Sequence, residues 1–277
     1  MKIIWSILII SGLTLIYTAL GGLKAVVVTE AIQTVILLIG AGAVTYFAFV
    51  ALSDMGITSL EQLKAVTKPD QLSMIRTEGD YSWYAMLLGY PILGIWYWCS
   101  DQTIVQRVLG AKTERDAQLG PIFAGFLKIM PVLFMVLPGV IAYVLFQEKI
   151  ADNKDATLII MIKELLPVGL QGIVIAGLLA ALMSTVAGAL NSTATLVSID
   201  IIKRVKPDVE DKKLVTYGRI TVAVVLLLAI AWSTQGERFG GIFEGINQMI
   251  AVLAPPISAV FIWGIFWSRG TEKAALY

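Results

Sequence analysis

Ala180-Ala181-Leu182-Met183-Ser184-Thr185-Val186-Ala187-Gly188-Ala189-Leu190-Asn191-Ser192-Thr193-Ala194-Thr195 lies inside an apolar stretch running from 168 to 202. A membrane helix needs about 20 apolar residues to cross the hydrocarbon core, and this stretch has the length to do so. Its hydroxyls and amide are then the informative groups, because lipid offers a polar atom no partner. At about 100° per residue, Ser184, Asn191, Thr195 and Ser198 fall on one face, with Ala187, Gly188 and Ala194 beside them. Two readings of that face stand. One is close helix packing through small residues and interhelical hydrogen bonds. The other is a sodium site, since hard cations prefer oxygen ligands, and the hydroxyls of Ser184 and Thr185 with a nearby carbonyl supply several.

The rest of the chain supports a bilayer as solvent. Of its 277 residues 57% are hydrophobic and only 15% charged, a balance that a water-facing surface of this size does not tolerate. The span-length ruler places seven transmembrane helices near 3 to 20, 25 to 52, 83 to 106, 121 to 146, 168 to 202, 215 to 234 and 242 to 267. The expected fold class is therefore an all-α multi-span membrane protein. The segment 53 to 81, with Asp54, Glu61, Lys64, Lys68, Asp70, Arg76, Glu78 and Asp80, belongs outside the lipid.

Several function classes drop out. A net charge of +1 with scattered basic residues gives no reason to expect a nucleic-acid partner. The single cysteine, Cys99, excludes an intrachain disulfide. The chain has no histidine, which removes Ser-His-Asp triads, histidine metal sites and histidine proton relays. Binding, rather than enzyme chemistry, is the expectation.

Loop charge sets the orientation. Lys24, then Arg107, Lys112 and Arg115, then Lys203, Arg204, Lys206, Lys212, Lys213 and Arg219, then Arg269 and Lys273 fall on alternate loops, which assigns them to the cytoplasm. Arg107 is thus expected in a loop. An odd number of spans puts the amino terminus outside, which fits Lys2 poorly and points to missing upstream sequence. A further span is expected to begin near Lys273-Ala274-Ala275-Leu276. A cleaved leader over 1 to 20 is disfavoured because no small-x-small site follows it.

Three further groups stand out. Lys128, in Phe126-Leu127-Lys128-Ile129-Met130-Pro131, falls well inside the fourth span. A buried ammonium costs several kcal/mol unless paired or hydrated, so a cavity or an ion pair is expected there. Glu30, in Val28-Thr29-Glu30-Ala31-Ile32-Gln33, is either an interfacial carboxylate or part of a cation pathway. In the third span Gly89-Tyr90-Pro91-Ile92-Leu93-Gly94 loosens the helix just before Trp96-Tyr97-Trp98-Cys99-Ser100-Asp101-Gln102. Flat rings beside hydrogen-bonding groups suit a sugar, which has apolar C–H faces and a hydroxyl rim.

These blocks, together with Tyr17-Thr18-Ala19-Leu20-Gly21-Gly22-Leu23-Lys24-Ala25, Gln102-Thr103-Ile104-Val105-Gln106-Arg107 and Ala254-Pro255-Pro256, resemble the sodium:solute symporter family, and most closely its sodium/sugar cotransporters. The resemblance implies a partial inverted-repeat fold of five plus five helices. Residues 1–52 would be the last two helices of the first repeat, 53–82 an extracellular loop, 83–267 the second repeat, and 268–277 a cytoplasmic loop leading to a further helix. It implies a sodium ion held by the Ala181 carbonyl and the Ser184 and Thr185 hydroxyls, with Glu30 on the ion's path inward. It implies a sugar stacked on Tyr97, with Trp98 behind and Lys128 donating to its hydroxyls.

Asn247 stands where the sugar cotransporters carry a glutamine that bonds substrate, one methylene longer, which puts the hexose preference in question. The first three helices of the first repeat, which supply other sodium carbonyls and sugar contacts in that family, are missing from the match. The function expected is sodium-coupled symport of a small polar solute, most plausibly a sugar, across the cell membrane. The alternatives are another solute such as inositol, sialic acid or an amino acid, a sodium-linked sugar sensor, or a non-functional fragment.

Overall fold

A computed structural model of the chain describes residues 3–68, 72–73, 75–79, 81–151, 153–233, 242–271 and 273–274, with the backbone alone at 3, 4, 17 and 19–25. Expectations for Lys2, Asp70, Asp80, the 235–241 loop and residues 275–277 lie outside the described residues, as do those for the side chains of Tyr17 and Lys24. Every regular element among the described residues is helical: α1 (Ile3–Asp54), α2 (Leu60–Val66), α3 (Trp83–Ile95), α4 (Gln102–Leu109), α5 (Glu114–Leu127), α6 (Leu137–Ile150), α7 (Thr157–Leu165), α8 (Val168–Thr195), α9 (Asp211–Ser233) and α10 (Ile242–Phe266).

Among the described residues, five stretches are long and apolar enough to cross a bilayer: Val26–Asp54, Glu114–Ile150, Val168–Lys203, Asp211–Ser233 and Ile242–Phe266. They coincide with five of the seven expected spans. The other two fall on Trp5–Ile16, a shorter apolar helix, and on α3 with α4, which Asp101 interrupts.

The first two expected spans are joined. The helix continues through Gly21-Gly22, so α1 runs unbroken for 52 residues, about 78 Å at 1.5 Å per residue, against a hydrocarbon core of about 30 Å. No proline interrupts it, and a glycine weakens a helix by only about 1 kcal/mol. At its far end α1 stops on a Schellman motif: Gly56 takes φ 80°, and the Ile57 N–H reaches the Leu52 carbonyl at 3.0 Å.

The organising contact is α1 against α8, antiparallel along most of its length. Glycines set the separation. A Cβ on Gly177 would lie 3.0 Å from the Ile36 Cγ2, and one on Gly40 3.3 Å from the Val174 Cγ2. One apolar cluster gathers Val44, Ala48 and Leu52 of α1 with Ile141 and Ala142 of α6, Met161 and Ile162 of α7, and Val174 of α8. The segment 147 to 165, expected as a loop, therefore contains a helix that inserts Met161 and Ile162, 1% and 0% exposed, into the core. A second cluster sits at the other end of α8, where Leu190 meets Val222 and Leu226 of α9 with Leu15 of α1 beside them.

Three segments wind more loosely than an α-helix: Trp96–Ser100, Val132–Val136 and Leu196–Lys203. Such wide turns concentrate at functional positions in helices. The first two follow prolines, Pro91 inside α3 and Pro131 just before the second, which remove helical N–H donors.

Candidate functional site: an oxygen-lined cavity beside an ion pair

Midway along α8 the backbone is ordinary helix, so Ala181, Ser184 and Thr185 lie on neighbouring faces one turn apart. Together with Glu30, Gln33, Thr34 and Leu37 of α1 they line a cavity of about 240 Å³. The four residues expected around a cation, Ala181, Ser184, Thr185 and Glu30, thus stand at one place.

The hydrogen bonds orient the oxygens. The Thr185 hydroxyl donates to the Ala181 carbonyl at 3.0 Å, and the Ser184 hydroxyl donates to Glu30 Oε1 at 3.0 Å. Each hydroxyl has committed its single proton, so its lone pairs remain for another ligand. The buried Gln33 Oε1 on the same wall has no hydrogen-bond partner. Such a set of neutral oxygens beside one carboxylate is chemistry suited to a hard monovalent cation.

Glu30 is paired across helices, and Arg107 is not a loop residue. Arg107 lies in the last turn of α4 and turns inward: its Nη2 meets Glu30 Oε1 at 2.5 Å and its Nε meets Oε2 at 2.9 Å. The pair is two-pronged, with Arg107 27% and Glu30 19% exposed. Arg107 Nη1 also donates to the carbonyl of Thr103. The guanidinium passes hard against α8, where a Cβ on Gly188 would lie 2.9 Å from Nη2 and 3.6 Å from Glu30 Oε1. One turn further, the buried Gln106 donates to Ser192 at 2.7 Å, and Ser192 donates to the Gly188 carbonyl.

The sequence reading missed Arg107 and Ser192. A lone carboxylate inside a span demands a cationic partner, which was the available signal for Arg107. The face expected to carry Asn191 buries Ser192 instead, about 100° further round. Ser198 is buried at 7% exposure after the turns have widened, so its phase no longer follows that of Ser184.

The expected solute group is only partly assembled. Lys128 ends α5, halfway along Glu114–Ile150, and its ammonium lies 3.9 Å from the Tyr97 ring centre and 5.1 Å from that of Trp98. Tyr97 and Trp98 meet edge to face at 5.4 Å. All three come together because Trp96–Ser100 winds loosely and then stops at Asp101. Asp101 adopts extended backbone and caps α4 by accepting the Thr103 N–H at 2.8 Å. Asn247 does not join them among the described contacts; its amide donates to the Phe243 carbonyl at 2.8 Å on its own helix. α10 is held to α3 elsewhere, by the buried Ser258 hydroxyl donating to the Ile92 carbonyl at 2.9 Å.

An all-helical protein with several membrane spans, some of them interrupted by wide turns, and a polar cavity between two of its long helices has the architecture of an integral, multi-pass membrane transporter. The chain belongs to the sodium:solute symporter family, whose model matches residues 1–277; members of this family are transporters, not enzymes. It is 35% identical over 303 residues to sodium/glucose cotransporter 4 of Danio rerio, covering 98% of this chain and 46% of that protein. It is 34% identical to a sodium/mannose cotransporter of Bos taurus, covering 98% of this chain and 51% of the relative. It is also 34% identical to sodium/myo-inositol cotransporter 2 of Homo sapiens, covering 96% and 44%. The chain spans about half the length of these curated relatives. Among solved structures, the substrate-bound outward-open state of a Na+-coupled sialic acid symporter superposes with a TM-score of 0.79 at 22% identity, covering 98% of this chain and 57% of that one. That likeness concerns the fold.

Proposed function

We propose that the protein of which this chain is part carries a small polar solute, a sugar or related polyol, across the cell membrane together with sodium, by alternating access. The observation that carries the reading is the cavity between α1 and α8, which the Ala181 carbonyl and the Ser184 and Thr185 hydroxyls line, the Thr185 proton donated to that carbonyl and the Ser184 proton to Glu30. Sodium takes these three oxygens as ligands, and Glu30 supplies the negative potential on its path.

Tyr97 is the platform for the solute, Trp98 fixes its ring orientation, and Lys128 donates to a hydroxyl after leaving the Tyr97 ring. Asn247 completes the polar rim once α10 shifts. In the inverted-repeat scheme 1–52, one continuous helix from Ile3 onward, takes the place of the last two helices of one repeat and 83–267 is the second repeat, with 53–82 as the extracellular loop and 268–277 on the cytoplasmic side.

The glucose, mannose and inositol relatives support a polyol. The coupling is affordable: one sodium ion crossing a potential of 100 mV releases about 2.3 kcal/mol before its concentration gradient is counted.

The test is uptake of labelled hexose and inositol into proteoliposomes under an inward sodium gradient. Uptake that vanishes when potassium replaces sodium is expected. Uptake driven by a proton gradient without sodium would overturn the assignment.

A further inference from the structure

We infer that Glu30 and Arg107 form a bolt at the basic-loop end of the cavity, and that a cation in the cavity keeps the bolt shut through Ser184. The inference rests on the cation site proposed above.

The Glu30 carboxylate is already engaged. Oε1 accepts from Arg107 Nη2 and from Ser184, and Oε2 accepts from Arg107 Nε. With most of its lone-pair positions in use, Glu30 behaves as a catch for Arg107 rather than as a free ion ligand. Gly188, on which the guanidinium rests, lies four residues beyond Ser184 along α8, about 6 Å further toward the Lys203-Arg204 end. An ion leaving the cavity toward that end meets the pair first.

Ser184 belongs to both parts. Its proton points at Glu30 while its lone pairs are free for the cavity. A cation accepting those lone pairs polarises the hydroxyl and strengthens its bond to the carboxylate, because linked hydrogen bonds reinforce one another at low dielectric. That fixes Glu30 in the position from which it grips Arg107. By linkage, a shut bolt in turn holds Ser184 in the orientation the cation needs.

The geometry also says how the bolt opens. The other anchor of Arg107, the Thr103 carbonyl, is on its own helix, so withdrawal moves α4 as a unit about the extended backbone at Asp101. Gly188 leaves room for this closure, because a Cβ there would lie 2.9 Å from Nη2 and force the guanidinium to shift.

Hydrogen-exchange mass spectrometry on the full-length protein of which this chain is part, in nanodiscs, tests this, with NaCl compared against KCl at equal ionic strength. Sodium is expected to slow exchange at 102–109 about fivefold, the lower range of ordinary site-to-site coupling, and to protect 181–185. Arg107→Gln, and independently Gly188→Ala, are expected to abolish the slowing at 102–109; protection at 181–185 persists at saturating sodium but needs about fivefold more of it, the reciprocal of the same coupling. If sodium protects 181–185 of the unmodified chain but leaves 102–109 unchanged or faster, the cavity binds the ion with no bolt attached, and the inference is overturned. If neither segment responds, the cation site itself is wrong and both readings fall. The unmodified chain alone decides between these outcomes, so a variant that fails to fold does not rescue the idea.

Discussion

The Lys128 ammonium sits over the face of Tyr97, 3.9 Å from the ring centre, and 5.1 Å from the ring of Trp98. A cation so placed occupies the surface on which a sugar ring would stack, and it gains from the negative face of the π-system. A solute stacked on Tyr97 would have to move Lys128 or use it.

Tyr97→Phe keeps the π-face and is expected to bind solute nearly as well as the unmodified protein. Tyr97→Leu removes it, and solute affinity is expected to fall about tenfold, corresponding to roughly 1.4 kcal/mol. Equilibrium binding of labelled solute measures both; equal losses in the two variants would remove Tyr97 as a platform.

Breaking the Glu30–Arg107 pair from one side strands a charge. Arg107→Met is expected to lower stability by about 2 to 3 kcal/mol, below the usual cost for a fully buried pair because both groups keep some exposure. Arg107→Met with Glu30→Gln is expected to recover about 1 kcal/mol or more of that loss. Unfolding midpoints of the four proteins in one detergent give the cycle, and strict additivity would mean that the two groups do not interact.

Gly177 is expected to tolerate substitution poorly, since its added Cβ meets Ile36 Cγ2 at 3.0 Å. Gly177→Ala should cost about 1 to 3 kcal/mol by overpacking. Ile36→Ala in the same chain should restore part of it, because it removes the γ2 methyl that the added Cβ meets. Thermal unfolding with and without the second change checks the contact.

Asp101 caps α4 through the Thr103 N–H. Asp101→Asn should be close to neutral, whereas Asp101→Ala should cost about 1 kcal/mol and speed exchange in the first turn of α4. No difference between the two substitutions would mean that the cap does not hold the break.

Much of this arrangement was legible in the sequence. Span lengths follow from the bilayer, and the boundaries of Val168–Lys203 and Ile242–Phe266 are within a residue or two of the apolar runs that predict them. Ser184 and Thr185 stood out as candidates because polar side chains in lipid are few and each requires a reason, whereas Ala181 entered only through the family resemblance. What the pattern did not carry was pairing across helices. Arg107 reads as a loop cation until α4 is seen to end beside α1, and nothing local to Gly188 shows that a guanidinium needs its missing side chain. The unbroken course of α1 through Gly21-Gly22 was equally hidden, since two glycines permit a reversal without compelling one.

Ser258, 1% exposed, is tethered to the Ile92 carbonyl, only four residues before Trp96. The tandem prolines of α10, Pro255 and Pro256, lie immediately upstream of that tether. Flexing at the prolines is carried through that tether toward the segment bearing the indole and phenol rings, so α10 and Trp96–Ser100 are coupled in any movement.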